Sequence, residues 1–219
     1  MTRKPEPSPA SLDGKIKTMD ANTIGARVVG PIAAATLRMA TRIAKQRMVR
    51  LEHRVLATEH IRPLPEVGEA VHVVMNGYYS AWAIAGAIAS LIPEPIDHML
   101  VSTLGFHREN ANDMIAMVDA GKVRSALLNV STYFRSSDRD VFDFMKRAFV
   151  SRGQRVKVTR SHAKLMLFKT GVRSIVVEMS ANLRSSQNWE QATIFNSAEL
   201  LDFHRAWIDE LHEAYEDDD

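Results

Sequence analysis

The chain contains a His-x-Lys pair, His162 and Lys164, at the start of the apolar run Leu165-Met166-Leu167-Phe168. If this segment is a strand, side chains two residues apart point to the same face, so an imidazole lies beside an ammonium group. An imidazole can act as a nucleophile, and a neighbouring cation can stabilise negative charge as it develops. The pair therefore suits attack on the phosphorus of a phosphodiester.

A second polar group follows the largely apolar run from 175 to 179. A strand over this run places Ser180 and Asn182 on one face, where a hydroxyl and an amide can donate to the non-bridging oxygens of a phosphate. Glu190 comes after a polar turn over residues 184–188. We expect its carboxylate to reach the second ring nitrogen of His162 and to fix the tautomer and orientation of that ring.

This ordered set resembles the signature of the phospholipase D superfamily, which is His-x-Lys, four residues, Asp, and then Gly-Ser-x-Asn. His162 and Lys164 match the first part, and Ser180 and Asn182 match the second. Glu190 lies 28 residues after the histidine, as does the orienting acid in single-motif nucleases of that family. The resemblance runs from about residue 71 to about residue 207 and is closest to phage-type and bacterial members with His-Ala-Lys and Ser-x-Asn-Leu.

Two positions depart from the family pattern. Lys169 takes the place of the aspartate, and Met179 takes the place of the glycine before the serine. An ordinary structural interpretation is also open, in which His162 and Lys164 cap the polar end of a buried strand and the Ser-x-Asn segment is a simple turn.

The resemblance implies an α/β fold, namely a phospholipase D-like α/β/α sandwich with a mostly parallel mixed sheet and one motif copy per chain. It implies catalytic roles for His162, Lys164, Asn182 and Glu190, phosphate binding by Ser180, Lys164 and Asn182, and no metal or other cofactor. One histidine cannot act on both sides of an in-line displacement, so two motifs are needed. We therefore expect a homodimer whose two-fold axis brings two copies of His162 together.

The expected activity is metal-independent hydrolysis of a phosphodiester through a phosphohistidine intermediate. Among the activities of the family, a nuclease is the preferred one. Nucleic acid is the preferred partner because residues 1–62 carry twelve Lys or Arg against five Asp or Glu, and a basic segment attracts a polyanion. A catalytically degenerate module that binds nucleic acid or serves in assembly is the alternative. A lipid phosphodiesterase, docked through a basic amphipathic helix, is the second alternative.

Length and composition fit one globular domain with a terminal extension, since 219 residues are 46% apolar and 25% charged. The absence of cysteine excludes disulfides and thiolate catalysis and fits a cytoplasmic location. We expect no signal peptide and no membrane span, because turn residues 76–80 interrupt the longest uncharged stretch, 70–93. The pairs His53 and His60, and His204 and His212, lack the spacing of a helical zinc site, and we expect them at the surface.

Three regions are predicted along the chain. Residues 1–22 form a disordered polar tail, residues 23–62 form a basic helical extension with a helix from Gly30 to Ala57, and residues 63–219 form the phospholipase D-like domain.

Strand and helix patterns alternate through the predicted domain. Strands are expected at 71–75, 99–103, 126–130, 156–168 and 174–179, and helices at 80–91, 110–120, 139–152 and 198–215. This alternation favours a largely parallel sheet covered on both faces. Ligands of such sheets bind at the carboxyl ends of the strands, which makes Tyr78, Tyr79, Thr103 and His107 candidate rim residues.

Overall fold

The computed structural model describes residues 45–51, 57–76, 79–186 and 188–215. The tail expected over 1–22, most of the basic helix expected within 23–62, and Tyr78 lie outside these residues.

The described chain alternates between strands and helices. The strands are β1 (Lys45–Leu51), β2 (Glu69–Met75), β3 (Tyr79–Ser80), β4 (Ile96–Thr103), β5 (Val123–Ser131), β6 (Arg155–Thr159), β7 (Leu165–Lys169), β8 (Ser174–Met179), β9 (Ser185–Ser186) and β10 (Glu190–Asn196). The helices are α1 (Ala57–Ile61), α2 (Trp82–Leu91), α3 (Arg108–Asp119), α4 (Thr132–Ser137), α5 (Arg139–Val150) and α6 (Ala198–Glu213).

Eight of these strands form one mixed sheet in the order β1-β2-β10-β8-β7-β4-β5-β6, and β3 pairs with β9 separately. The pairs β1–β2, β4–β5 and β5–β6 are parallel. The other four neighbouring pairs are antiparallel, because β7 and β10 run against the strands on both of their sides. The fold class is therefore α/β, but the expectation of a mostly parallel sheet is wrong.

Helices cover both faces of this sheet. Successive residues of a strand point to opposite faces, so neighbouring residues contribute to different cores. Met99 and Val101 of β4 belong to the larger core, which also contains buried side chains of α2, α3, α4 and α5. Leu100 points the other way into a smaller core that contains Leu200 and Ile208 of α6. Within the described chain, no helix is long and apolar enough to cross a membrane.

The helix expected from Gly30 to Ala57 is not formed where the structure describes it. Residues 45–51 are instead strand β1, which pairs in parallel with β2, so pairing along a sheet edge prevails over the local helical periodicity. The guanidinium of Arg47 donates to the carbonyls of Arg62 and Pro63 at 2.5 and 2.6 Å, which ties β1 to the end of α1. The sheet thus includes residues before the expected domain boundary at 63.

The single strand expected over 156–168 is also wrong, because it ends at Thr159 and resumes at Leu165. β6 lies at the outer edge beside β5, whereas β7 pairs with β4. Residues 160–164, here called the crossing segment, must therefore pass over the carboxyl ends of β5 and β4. The hydroxyl of Ser102 holds this segment by donating to the carbonyl of Ala163 at 3.1 Å.

Candidate functional site

The residues singled out in the sequence meet at one edge of the sheet. β4, β5, β6 and β8 end at this edge, and β7 and β10 begin there because they run the opposite way. We call it the carboxyl edge. His162 and Lys164 reach it on the crossing segment, Ser180 and Asn182 follow β8, and Glu190 opens β10.

Backbone hydrogen bonds join these segments directly. The amide of Met179 donates to the carbonyl of Lys164 at 3.1 Å, and the amide of Ser180 donates to the carbonyl of Gln191 at 3.0 Å. The His-x-Lys segment, the Ser-x-Asn segment and the start of β10 are therefore immediate neighbours, although they are far apart in sequence.

His162 and Lys164 are not on a strand, so the same-face argument does not apply to them. The side chain of His162 is exposed, and within the described residues its ring makes no hydrogen bond. The ammonium of Lys164 donates to the carbonyl of His162 at 2.9 Å. The imidazole is thus accessible to a substrate, and the ammonium, which has three N–H donors, can bind a phosphate while it keeps this bond.

Glu190 contacts Ser180 rather than the ring of His162. The hydroxyl of Ser180 donates to a carboxylate oxygen of Glu190 and accepts the backbone N–H of Gln191 at 3.0 Å. A hydroxyl has one proton, so Ser180 cannot donate to a phosphate while that proton is held by Glu190. The expected bond between Glu190 and the second ring nitrogen of His162 is absent from this arrangement.

The side chain of Asn182 has a defined orientation. Its amide oxygen accepts the backbone N–H of Leu104 at 3.3 Å, in the loop that follows β4. Its NH₂ group makes no hydrogen bond to the described residues and is therefore available as a donor. Asn182 is the member of the group whose geometry best suits a donor to an anionic oxygen.

Of the two departures from the family pattern, Lys169 lies away from the group, whereas Met179 directly precedes Ser180. The ammonium of Lys169 donates to Ser174 at 2.9 Å at the far end of β7, on the order of 16 Å from Lys164 at strand rise. Met179 packs against the larger core. No described residue other than glycine has a positive φ, so the backbone at Met179 does not require glycine.

Two of the predicted rim residues have structural roles instead. The buried hydroxyl of Thr103 donates to the carbonyl of Gly105 at 3.0 Å and accepts the backbone N–H of Leu183 at 3.4 Å. His107 is the N-cap residue of α3 and forms a capping box with Asn110. For Tyr79, the structure describes only its place in β3.

A buried polar network supports the crossing segment from below, and sequence reasoning missed it. Asn129 of β5 is 1% exposed. Its amide NH₂ donates to Ser102 at 3.0 Å, and its oxygen accepts the hydroxyl of Thr159 and lies 3.1 Å from Nε2 of His212. Because Ser102 holds the carbonyl of Ala163, the network links α6 to the crossing segment.

The expectation that His204 and His212 lie at the surface is wrong, since each is 8% exposed. Nδ1 of His204 accepts the indole N–H of Trp207 at 3.0 Å, so its Nε2 carries the proton that faces Glu178 at 2.8 Å. Both histidines belong to the apolar face of α6, and their spacing of eight residues places them on the same side of the helix.

Arg184 is a further residue at this edge that the sequence did not single out. Its guanidinium pairs with Asp138, the residue between α4 and α5, and lies 5.4 Å from the centroid of the Phe134 ring. This ion pair fixes the segment after Asn182 against the junction of the two helices.

No family model and no curated protein matches this chain. Among solved structures, polyphosphate kinase from Porphyromonas gingivalis is similar with 14% identity and a TM-score of 0.46, over 68% of this chain and 28% of the kinase chain. TrmBL2, an archaeal chromatin protein, is similar with 12% identity and a TM-score of 0.44, over 86% of this chain and 66% of its own. The chain thus spans less than a third of the kinase and about two thirds of the chromatin protein.

Proposed function

We propose that this chain is a metal-independent phosphodiesterase of the phospholipase D type, a nuclease that uses His162 as its nucleophile. The observation that supports this proposal is the convergence of His162, Lys164, Ser180, Asn182 and Glu190 at the carboxyl edge. These residues come from three separate segments, and they combine an exposed imidazole, an ammonium and an oriented amide donor. That set contains a nucleophile and the donors that stabilise a phosphoryl transition state.

The reaction has two steps that share one phosphorus atom. First, a ring nitrogen of His162 attacks phosphorus, the bond to the leaving oxygen breaks, and that oxygen takes a proton from His162 of the partner subunit. Next, that neutral imidazole removes a proton from water, the resulting hydroxide attacks phosphorus, and the phosphorus–nitrogen bond breaks to restore the first His162. The site therefore requires a homodimer with a two-fold axis near the crossing segment.

The other residues stabilise charge on the phosphate oxygens. The NH₂ group of Asn182 is already available, and Lys164 has N–H donors beyond the one that is bonded to the carbonyl of His162. Ser180 donates to the phosphate once its proton leaves Glu190. Removing one such donor costs about 10²–10³ in rate, because the donors are aimed at charge that develops in the transition state.

Hydrolysis of a small chromogenic phosphodiester in excess chelator tests the proposal. His162→Asn and Lys164→Ala should each lose activity by about 10²-fold or more. Lys169→Ala is the matched control, since Lys169 lies at the opposite end of β7 and bonds to Ser174. Undiminished hydrolysis by either site variant would exclude the mechanism.

The shared site has its own test in mixed dimers. Wild-type and His162→Asn chains with different affinity tags are co-expressed at known ratios and purified as a mixture. If each site needs two copies of His162, activity follows the square of the wild-type fraction. A linear dependence, or a monomer with full activity, contradicts the two-fold arrangement.

The second candidate function is a non-catalytic module that binds nucleic acid. It is favoured by the contact of Glu190 with Ser180, which engages the carboxylate away from His162, and by the bond from Lys164 to the His162 carbonyl, which engages one donor of the ammonium. Binding of an oligonucleotide with no hydrolysis in the wild type would support it. A lipid phosphodiesterase has less support, because the described end of the expected basic helix is a strand.

A further inference from the structure

An open cleft lies between α4 and α5, with a volume of about 550 Å³. Thr132, Arg135 and Ser136 of α4 line it, together with Arg139, Asp143 and Lys146 of α5. Each set has helical spacing of three or four residues, so each set forms one face of its helix. We call this cleft the α4–α5 groove.

The α4–α5 groove has an excess of positive charge. Three of its lining residues are cations, and Asp143 is the one carboxylate among them. A carboxylate oxygen of Asp143 lies 3.7 Å from Nε of Arg139. The side chain of Arg139 is 81% exposed, so its charge faces solvent in spite of that pair. Thr132 and Ser136 add hydroxyl groups. Cations with hydroxyls along a groove suit a sugar–phosphate backbone.

The groove opens beside the proposed catalytic residues. Thr132 directly follows Ser131, whose partner in the sheet is Thr159, the last residue before the crossing segment. On the other side, the helix junction at Asp138 is held by Arg184, two residues after Asn182. The groove thus begins next to the carboxyl edge, and a strand of nucleic acid bound in it would have a path along the surface to that edge.

Two large aromatic side chains lie exposed on the segments that flank this path. Tyr133 on α4 is 65% exposed, and Trp189, directly before Glu190, is 61% exposed. An exposed aromatic ring offers a face on which a base can stack. Stacking of this kind requires a base that is not paired within a duplex.

We propose that the α4–α5 groove binds the backbone of a single-stranded nucleic acid next to the scissile phosphate, while Tyr133 and Trp189 stack its bases. This inference rests on the proposed function and adds the class of substrate and the residues that select it. It also assigns a role to Arg139 and Lys146 that the resemblance does not supply.

Fluorescence anisotropy with a labelled single-stranded oligonucleotide of about 16 nucleotides tests the groove without depending on hydrolysis. The double variant Arg139→Gln with Lys146→Gln should weaken binding at least about tenfold. It should also reduce the slope of log affinity against log salt by about 1.4, the value for two lost phosphate contacts on a single strand. The control is Arg155→Gln with Arg205→Gln, which removes the same charge from positions away from the groove.

The aromatic part is tested by Tyr133→Ala in the same assay. Loss of one stacked base should weaken binding about five- to 150-fold. Tyr133→Phe keeps the ring face and should keep the affinity, which separates stacking from a change in folding. A duplex of the same sequence should bind the wild type more weakly than the single strand.

Three results would overturn the inference: equal weakening by the groove pair and the control pair, wild-type affinity in Tyr133→Ala, or tighter binding of the duplex. The proposed function fails separately. If the wild type binds the single strand through the groove but hydrolyses neither that strand nor a small diester, the role of the groove in binding is supported and the catalytic proposal is rejected.

Discussion

At the scale of single residues, the candidate site already contains internal hydrogen bonds that engage some of its donors. Lys164 is bonded to a carbonyl and Ser180 to Glu190, whereas Asn182 has an unoccupied NH₂ group. The five residues were identified from the sequence, and the fold places them at the same edge of the sheet. The sequence did not predict these contacts, because the direction of each side chain depends on where the crossing segment enters the sheet.

Asn182→Asp tests the amide donor with almost no change of shape. The carboxylate can still accept the backbone N–H of Leu104, but it replaces the NH₂ donor by a negative charge that repels phosphate. Hydrolysis of a small phosphodiester should fall by about 10²–10³, while the thermal unfolding midpoint stays close to that of the wild type. Activity within a few-fold of the wild type would remove Asn182 from the site.

His212 gives the fold a predictable response to pH. Burial lowers the pKa of His212, the nearby Lys157 and Arg155 lower it further, and Asp209 opposes them. As the pH falls through the ordinary histidine pKa of about 6.5, the unfolded chain therefore binds more protons than the folded chain does, and the free energy of unfolding decreases. His212→Gln should make the unfolding free energy less dependent on pH between about 7.5 and about 5.5.

Denaturant unfolding at several pH values measures this dependence. The wild type should lose more stability than His212→Gln over that range, with a difference in slope of at most about 1.4 kcal/mol per pH unit for one proton. Equal slopes would mean that His212 does not remain neutral in the folded protein.

At the scale of elements, strong apolar periodicity predicted most helices and strands. The bounds expected for β8 match those observed, 174–179, and α2, α3, α5 and α6 lie within about two residues of their expected positions. The break between β6 and β7 was not predicted, because it follows from the order of strands in the sheet rather than from local pattern.

β10 was missed although its pattern is visible in the sequence. Ala192 and Ile194 point to the larger core, and Phe195 points to the face covered by α6. This alternation is typical of a strand. Because β10 and β7 each run against both neighbours, missing the first and merging the second with β6 made the sheet look parallel.

Two glycines provide a matched test of packing between elements. A Cβ at Gly105 would lie 3.0 Å from the ring of Phe134 and 3.1 Å from Nε of Arg184. Gly105→Ala should therefore destabilise the protein by about 1–3 kcal/mol through overpacking. At Gly86, inside α2, a Cβ meets nothing within 4 Å, and Gly86→Ala should stabilise by about 0.5–1 kcal/mol.

Denaturant unfolding of both variants measures the two effects in one experiment. A Gly105→Ala protein as stable as the wild type would show that Phe134 and Arg184 do not pack closely around the loop after β4.

At the scale of the whole molecule, the proposed reaction depends on one covalent event at the carboxyl edge. Sheet topology brings the five residues together, but it does not choose between catalysis and binding, since a fold alone does not determine function. The proposed nuclease and the binding module differ in whether phosphorus is ever bonded to His162. That bond is a physical difference that can be measured.

The most direct measurement is an alkaline quench of the chelator-treated protein during turnover of a phosphodiester labelled on the phosphoryl group that His162 would retain, followed by peptide mapping. A phosphohistidine intermediate predicts acid-labile label on the peptide that contains His162, and no label in His162→Asn. Hydrolysis that proceeds in the wild type with no label on that peptide, or that persists in His162→Asn, would contradict it.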